Sequence, residues 1–152
     1  MISASPGIAG DAARADRHAR DEALAHHIDA VGSEAFLDEW LDGPIAGTGH
    51  LADNARRRDR AVRAVNTSSG LAAALRGLGQ GAQPYVGDRL GELKLPLLTV
   101  SGSEDPTYTG LAREMADAAP YGAHVSIDGA GHNVILDAPQ ALTSTLTDFV
   151  LG

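Results

Sequence analysis

The stretch that decides the fold is LPLLTVSGSEDPTY, Leu95–Tyr108, taken with HVSIDGAGHN, His124–Asn133. Leu95, Leu97, Leu98, Thr99 and Val100 form a continuous apolar run, as expected of a buried parallel strand. Gly102-Ser103-Glu104-Asp105-Pro106 then puts a carboxylate in a tight turn, and Tyr108–Ala119 carries Leu111 and Met115 at helical spacing. His124-Val125-Ser126-Ile127 reads as a second strand, followed by the glycine-rich loop Gly129-Ala130-Gly131-His132-Asn133. Pro139 starts a helix with Leu142, Leu146, Phe149 and Val150 on one face; proline is tolerated in a helix's first turn. The order is strand, acidic loop, helix, strand, histidine loop, helix.

In parallel α/β sheets, chemistry gathers in the loops at the carboxyl ends of strands. Asp105 and His132 are each delivered that way. The carboxylate would fix the tautomer and orientation of the imidazole, and the imidazole would act as general base. A lone Asp in such a turn is commonly a helix cap, and a lone loop histidine is commonly surface; adjacent βα units supplying both favour an acid–base pair. Glu104, next in sequence, should point elsewhere.

Upstream the chain changes character. Met1–Ala4 resembles the tail of a strand running into the Ser5-Pro6-Gly7 turn. Asp11–Val31 is helical, with Asp11 as N-cap and Leu24, Ile28 and Val31 as an apolar face. Gly32 ends it and Ser33 can cap a short helix carrying Phe36, Leu37, Trp40 and Leu41, which Asp42-Gly43-Pro44 breaks. An arginine-rich helix is expected over Leu51–Val65 and another over Leu71–Leu78, with a capping break at Asn66–Gly70 between them. Leu90 and Leu93 fit one further helical turn before Pro96. The expected organisation is therefore the end of a core strand over 1–10, a helical cap and its return over 11–94, and a βαβα core over 95–152.

The chain has 152 residues, a formal net charge of −8 and no cysteine. The charge argues against a nucleic-acid partner, and the absence of cysteine excludes disulfides and thiolate catalysis. No apolar run suits a bilayer span, and the amino terminus lacks signal-peptide features, so a cytoplasmic protein is expected. Arg56, Arg57, Arg58, Arg60 and Arg63 read as a solvated helix face; one of them turning inward toward an anion is the alternative. His18, His26 and His27 lack metal-ligand spacing, and no phosphate loop follows Gly79. Neither a metal nor another cofactor is expected.

Leu97–Asp148, with SGSEDPTY and GAGHNVILDAPQAL, resembles the carboxyl-terminal part of the α/β-hydrolase superfamily. That family orders its triad nucleophile, acid, histidine; the resemblance matches Asp105 to the acid and His132 to the histidine. It makes the fold class α/β: about three parallel strands of a hydrolase fold, with the helices as an inserted cap. ISASPGI, Arg17–Ala25 (R-x-x-x-D-E-A-L-A), AFLDEWL and NTSSGLAAALRGLGQGAQP resemble the 2-succinyl-6-hydroxy-2,4-cyclohexadiene-1-carboxylate synthases of menaquinone biosynthesis and their relatives. Those enzymes expel pyruvate after a triad-initiated proton abstraction, without a metal, and hold substrate carboxylates with cap arginines and a tryptophan. The resemblance assigns Arg17 and Trp40 to such roles. A second arginine expected before NTSSG is replaced by Val65, with Arg63 nearby as a substitute. The plain alternatives are an exposed helix residue for Arg17 and core packing for Trp40.

The nucleophile is missing. No segment matches G-x-S-x-G. Ser3-Ala4-Ser5-Pro6-Gly7 comes nearest, but the residue after the serine would be Pro6, which has no N–H to give an oxyanion. Nucleophile and oxyanion donors are expected upstream, in an amino-terminal half that would be this chain's partner, and the chain alone is expected to be inactive. The expected ligand is a small carboxylate; the alternatives are an ester hydrolase and a non-catalytic remnant or half of a split protein.

Overall fold

The computed structural model describes residues 1–43, 48 and 51–152. They form two compact units: Met1–Pro6 with Val86–Gly152, and Gly7–Tyr85.

The first unit is built on a parallel pair, β1 (Leu97–Gly102) and β2 (Gly122–Ile127), in the register Leu97 to Gly122 through Gly102 to Ile127. Ile2 bridges in parallel to Val100. Ser3 N–H donates to Val100 O at 2.9 Å, and Val100 N–H donates to Met1 O at 2.8 Å. The amino terminus thus lies beside β1 as a strand end. α5 (Pro106–Ala118) joins β1 to β2, and α6 (Val134–Asp137) and α7 (Pro139–Leu151) follow. A 3-10 helix, Gly87–Glu92, precedes β1 and buries Leu90.

Alternation along β1 sends Leu98 and Val100 into a cluster with Ile127, Ala130, Val134 and Leu142. Thr99 and Ser101 point the other way and are fully buried. Their hydroxyls are satisfied, as burial requires: Thr99 Oγ1 donates to Ala112 O at 2.8 Å, and Thr109 Oγ1 donates to Ser101 Oγ at 2.9 Å. Leu95 falls outside the strand and is 74% exposed, because β1 starts only after Pro96. On α7 only Leu142 reaches the core; Leu146, Phe149 and Val150, expected to share its face, are exposed.

The second unit contains α1 (Asp11–Val31), α2 (Ser33–Leu41), α3 (Asp53–Arg63) and α4 (Ser68–Leu78). α1 and α4 pack through small residues, with Ala25 and Ala72 both at 0% exposure beside Ile28. Val31, expected on that face, is exposed. The caps differ from expectation at two places. Gly10 and Gly32 occupy the N-cap positions, and Asp11 and Ser33 are the first helical residues. Asp11 instead accepts from Arg14, and Ser33 N–H donates to Ser68 Oγ. Thr67 does cap α4, accepting from Gly70 N–H at 3.1 Å. α2 ends at Leu41 with Asp42 as C-cap; Pro44, expected to break it, lies outside the described residues. Among the described residues no helix is long and apolar enough to cross a membrane.

Candidate active site

β1 ends in Gly102, and the chain turns at once. Asp105 N–H donates to Gly102 O, and the Asp105 side chain caps α5 by accepting from Tyr108 N–H at 3.2 Å. Pro106 occupies the first turn, where its missing N–H costs nothing. Capping uses Oδ1 alone. Oδ2 accepts from His132 Nδ1 at 2.7 Å. Asp105 thus both caps α5 and holds His132, one oxygen each. A carboxylate can only accept, so the proton sits on Nδ1 and the neutral ring keeps its lone pair on Nε2. The Asp105 side chain is 13% exposed and that of His132 29%. Tyr108 stands over the imidazole, ring centroids 4.3 Å apart at 59°.

The histidine loop is held against the end of β1 by backbone. Ser103 N–H donates to Ile127 O and Glu104 N–H to Ala130 O, while Gly129 N–H donates to Ser103 Oγ. Gly129 takes a φ of +68°, which favours glycine. A Cβ on Gly102 would come within 2.2 Å of the carbonyl oxygens of Ala130 and Gly131, so the close approach needs a glycine there. Asp137 on α6 reaches back and accepts from Gly131 N–H at 2.8 Å. Neither α6 nor this anchor was expected; VIL (Val134–Leu136) shows no periodicity that marks a four-residue helix.

A serine–histidine contact also exists in this unit, at Ser101 Oγ and His124 Nε2, 3.0 Å apart. Ser101 is 0% exposed, so it has no access to a substrate. Burial, and then the Arg113 charge, push the His124 imidazole below its usual range, with Asp117 opposing.

The other three expected site residues lie in the helical unit. Trp40 and Arg63 line one cavity of about 400 Å³. Arg17 is not among its lining residues. It is committed elsewhere: Nε donates to Asp21 Oδ1 at 2.7 Å and Nη1 to Gln80 Oε1 at 2.7 Å. Asp21 is 5% exposed and also accepts from Gly81 N–H. Of the arginine cluster, Arg60 donates to Asp38 and Arg63 to Asp59. His26 and His27 are each paired with a carboxylate, Glu22 and Glu39. Among the described residues no group of three or more His, Asp or Glu is placed to hold a metal.

Asp105 and His132 thus follow two adjacent parallel strands, β1 and β2, and are joined through Nδ1. A MenH structure from S. aureus superposes with a TM-score of 0.93 at 28% identity, over 98% of this chain and 57% of that one. A thermophilic esterase from Thermogutta terrifontis gives 0.78 at 20% identity, over 98% and 53%, which speaks to the fold alone. This chain has part of an α/β-hydrolase fold. In sequence it is 31% identical over 151 residues to a Bacillus subtilis (strain 168) protein provisionally named as a 2-succinyl-6-hydroxy-2,4-cyclohexadiene-1-carboxylate synthase, covering 99% of this chain and 55% of that protein. The synthase of Salmonella heidelberg (strain SL476) is 28% identical over 145 residues, covering 95% and 55%. The hydrolase-fold chain thus spans about half the length of the curated relatives it matches. No family model matches it.

Proposed function

We propose that this chain supplies the acid and the histidine of a Ser-Asp-His triad in an α/β-hydrolase-fold synthase that eliminates pyruvate from a small carboxylate substrate. The observation that carries the reading is the 2.7 Å contact between His132 Nδ1 and Asp105 Oδ2. Asp105 holds the ring as the Nδ1–H tautomer. That leaves Nε2 free to take the proton of a serine hydroxyl and stabilises the imidazolium that results. The proton then returns through the same nitrogen. The serine and the oxyanion donors come from a G-x-S-x-G turn outside these 152 residues. Arg17 and Trp40 are assigned to the substrate by similarity to the synthases, with Arg63 substituting for the second arginine that Val65 replaces; the name of the synthases gives the product class.

The test is an assembled enzyme. Residues 1–152 are joined to the amino-terminal portion of the Bacillus subtilis relative that the match leaves uncovered, and the fusion is assayed for pyruvate release and for hydrolysis of a simple aryl ester. Pyruvate release that disappears in His132→Ala supports the proposal. Ester cleavage without pyruvate release would replace the synthase with a hydrolase. A folded fusion with neither activity would leave a non-catalytic module.

A further inference from the structure

Three contacts hold His132 in place. Asp137 Oδ2 accepts from Gly131 N–H at 2.8 Å and fixes the backbone just before the ring. Asp105 Oδ2 accepts from Nδ1 at 2.7 Å and fixes one edge of the imidazole. These two leave the tilt of the ring unset, because χ2 of a histidine is a broad torsion, and rocking about it redirects the Nε2 lone pair. The third contact removes that freedom. The Tyr108 ring lies against the imidazole with centroids 4.3 Å apart at 59°, near the lower end of the roughly 4.5–7 Å that aromatic pairs span. The sequence delivers this ring together with the acid. Asp105 is the N-cap of α5, and Tyr108, three residues on, gives the N–H that the cap accepts. Residues three apart share a helix face, so one turn presents a carboxylate to the edge of the imidazole and an aromatic ring over it.

We infer that Tyr108 sets the tilt of His132: it is a positioning residue that acts through the imidazole and keeps Nε2 aimed at the proton it takes. This deepens the proposed function and rests on it only for the claim that the aim of Nε2 governs turnover. Misplacing a reacting group by about 1 Å costs on the order of 10²-fold in rate. Asp105 still holds the Nδ1 edge when the Tyr108 ring is gone, so the loss expected here is smaller, about tenfold.

The test compares Tyr108→Phe with Tyr108→Leu. Neither touches the Tyr108 N–H, so the Asp105 cap survives in both, and leucine keeps apolar bulk and helix propensity without a flat ring. In the assembled fusion, Tyr108→Leu should lower kcat for pyruvate release about tenfold, per folded molecule, with KM unchanged. Tyr108→Phe should stay near the wild type in both. A raised KM with kcat intact would make Tyr108 a substrate contact, and equal losses in the two variants would shift the effect from the ring to the hydroxyl; either overturns the inference. In the 152-residue chain itself, NMR of the His132 ring reads the contact without turnover, with His132→Ala assigning the signals. The ring current of Tyr108 should displace the His132 carbon-bound protons in the wild type and in Tyr108→Phe. That displacement should vanish in Tyr108→Leu, while the ring nitrogen shifts keep the Nδ1–H tautomer set by Asp105. Identical ring-proton shifts in all three chains would also overturn the inference. An inactive fusion together with the expected shifts sinks the synthase reading and leaves the positioning of His132 supported.

Discussion

Asp105 in the sheet unit and Asp21 in the helical unit are wired alike. Each carboxylate is largely buried and gives one oxygen to a backbone N–H and the other to a nitrogenous side chain. Asp105 takes Tyr108 N–H and His132 Nδ1. Asp21 takes Gly81 N–H and Arg17 Nε. The difference is the partner. A guanidinium stays charged at any ordinary pH and has no proton to exchange, and the Asp21 pair holds α1 to the loop after α4. An imidazole fixed at Nδ1 still offers a second nitrogen that can take and return a proton. The same geometry is therefore a clamp in one unit and a candidate acid–base device in the other.

The contrast breaks first at Asp105. In the assembled enzyme, Asp105→Asn should lower kcat by about 10⁴-fold, the scale of a wrongly oriented histidine tautomer. Asparagine still caps a helix well, so the melting temperature should barely move. A rate within tenfold of the wild type would demote Asp105 to a cap.

Asp21 should behave in the opposite way. Asp21→Ala strips the partner from Arg17 and from Gly81 N–H, and is expected to cost about 2–3 kcal/mol, discounted because the Arg17 side chain is 34% exposed. Urea titration would read it as a lower midpoint, with kcat per folded molecule unchanged. Arg17→Ala discriminates further. As a clamp it should lose about as much stability as Asp21→Ala; as a substrate contact it would raise KM with the midpoint intact.

How much of this was legible follows the same line. The β1 run, the helix after it, and the placing of Asp105 and His132 could be read because a buried parallel strand writes a continuous apolar run; β2, GAHVSI, is only partly buried and showed itself by Val125 and Ile127 in alternation. The full length of α1, Asp11–Val31, was equally plain. Its cap was not: an N-cap aspartate and a first-turn aspartate look the same until Arg14 is seen to take the carboxylate. Arg17 and Asp21 stand at i and i+4, a spacing that signals an ion pair, and the structure forms that pair. Trp40 and Arg63 sharing one cavity had no signal in spacing, since they sit on different helices. Asp137 anchoring Gly131 was hidden for the same reason that α6 was: a single turn has no period.

The smallest expected effect sharpens the contrast with a second histidine. His132 spends Nδ1 on a carboxylate, whereas His124 spends Nε2 on the buried Ser101 hydroxyl. Thr109 Oγ1 lies within hydrogen-bond reach of both Ser101 Oγ and Gly102 O. Protonation would place a charge in a desolvated spot near Arg113, with Asp117 opposing, and the folded-state pKa lies below the ordinary 6.5 for those reasons, burial first. The unfolded chain then binds more protons than the folded one between the two values, and stability rises with pH across that window. The contribution is fully present above 6.5 and is lost as pH falls through the lowered folded value. Melting curves from about pH 5 to pH 8 should show a small acid-side loss that His124→Gln abolishes, because glutamine keeps an acceptor for Ser101 and cannot titrate. An unchanged acid-side loss in that variant would move the titration to the carboxylates and leave His124 as packing alone.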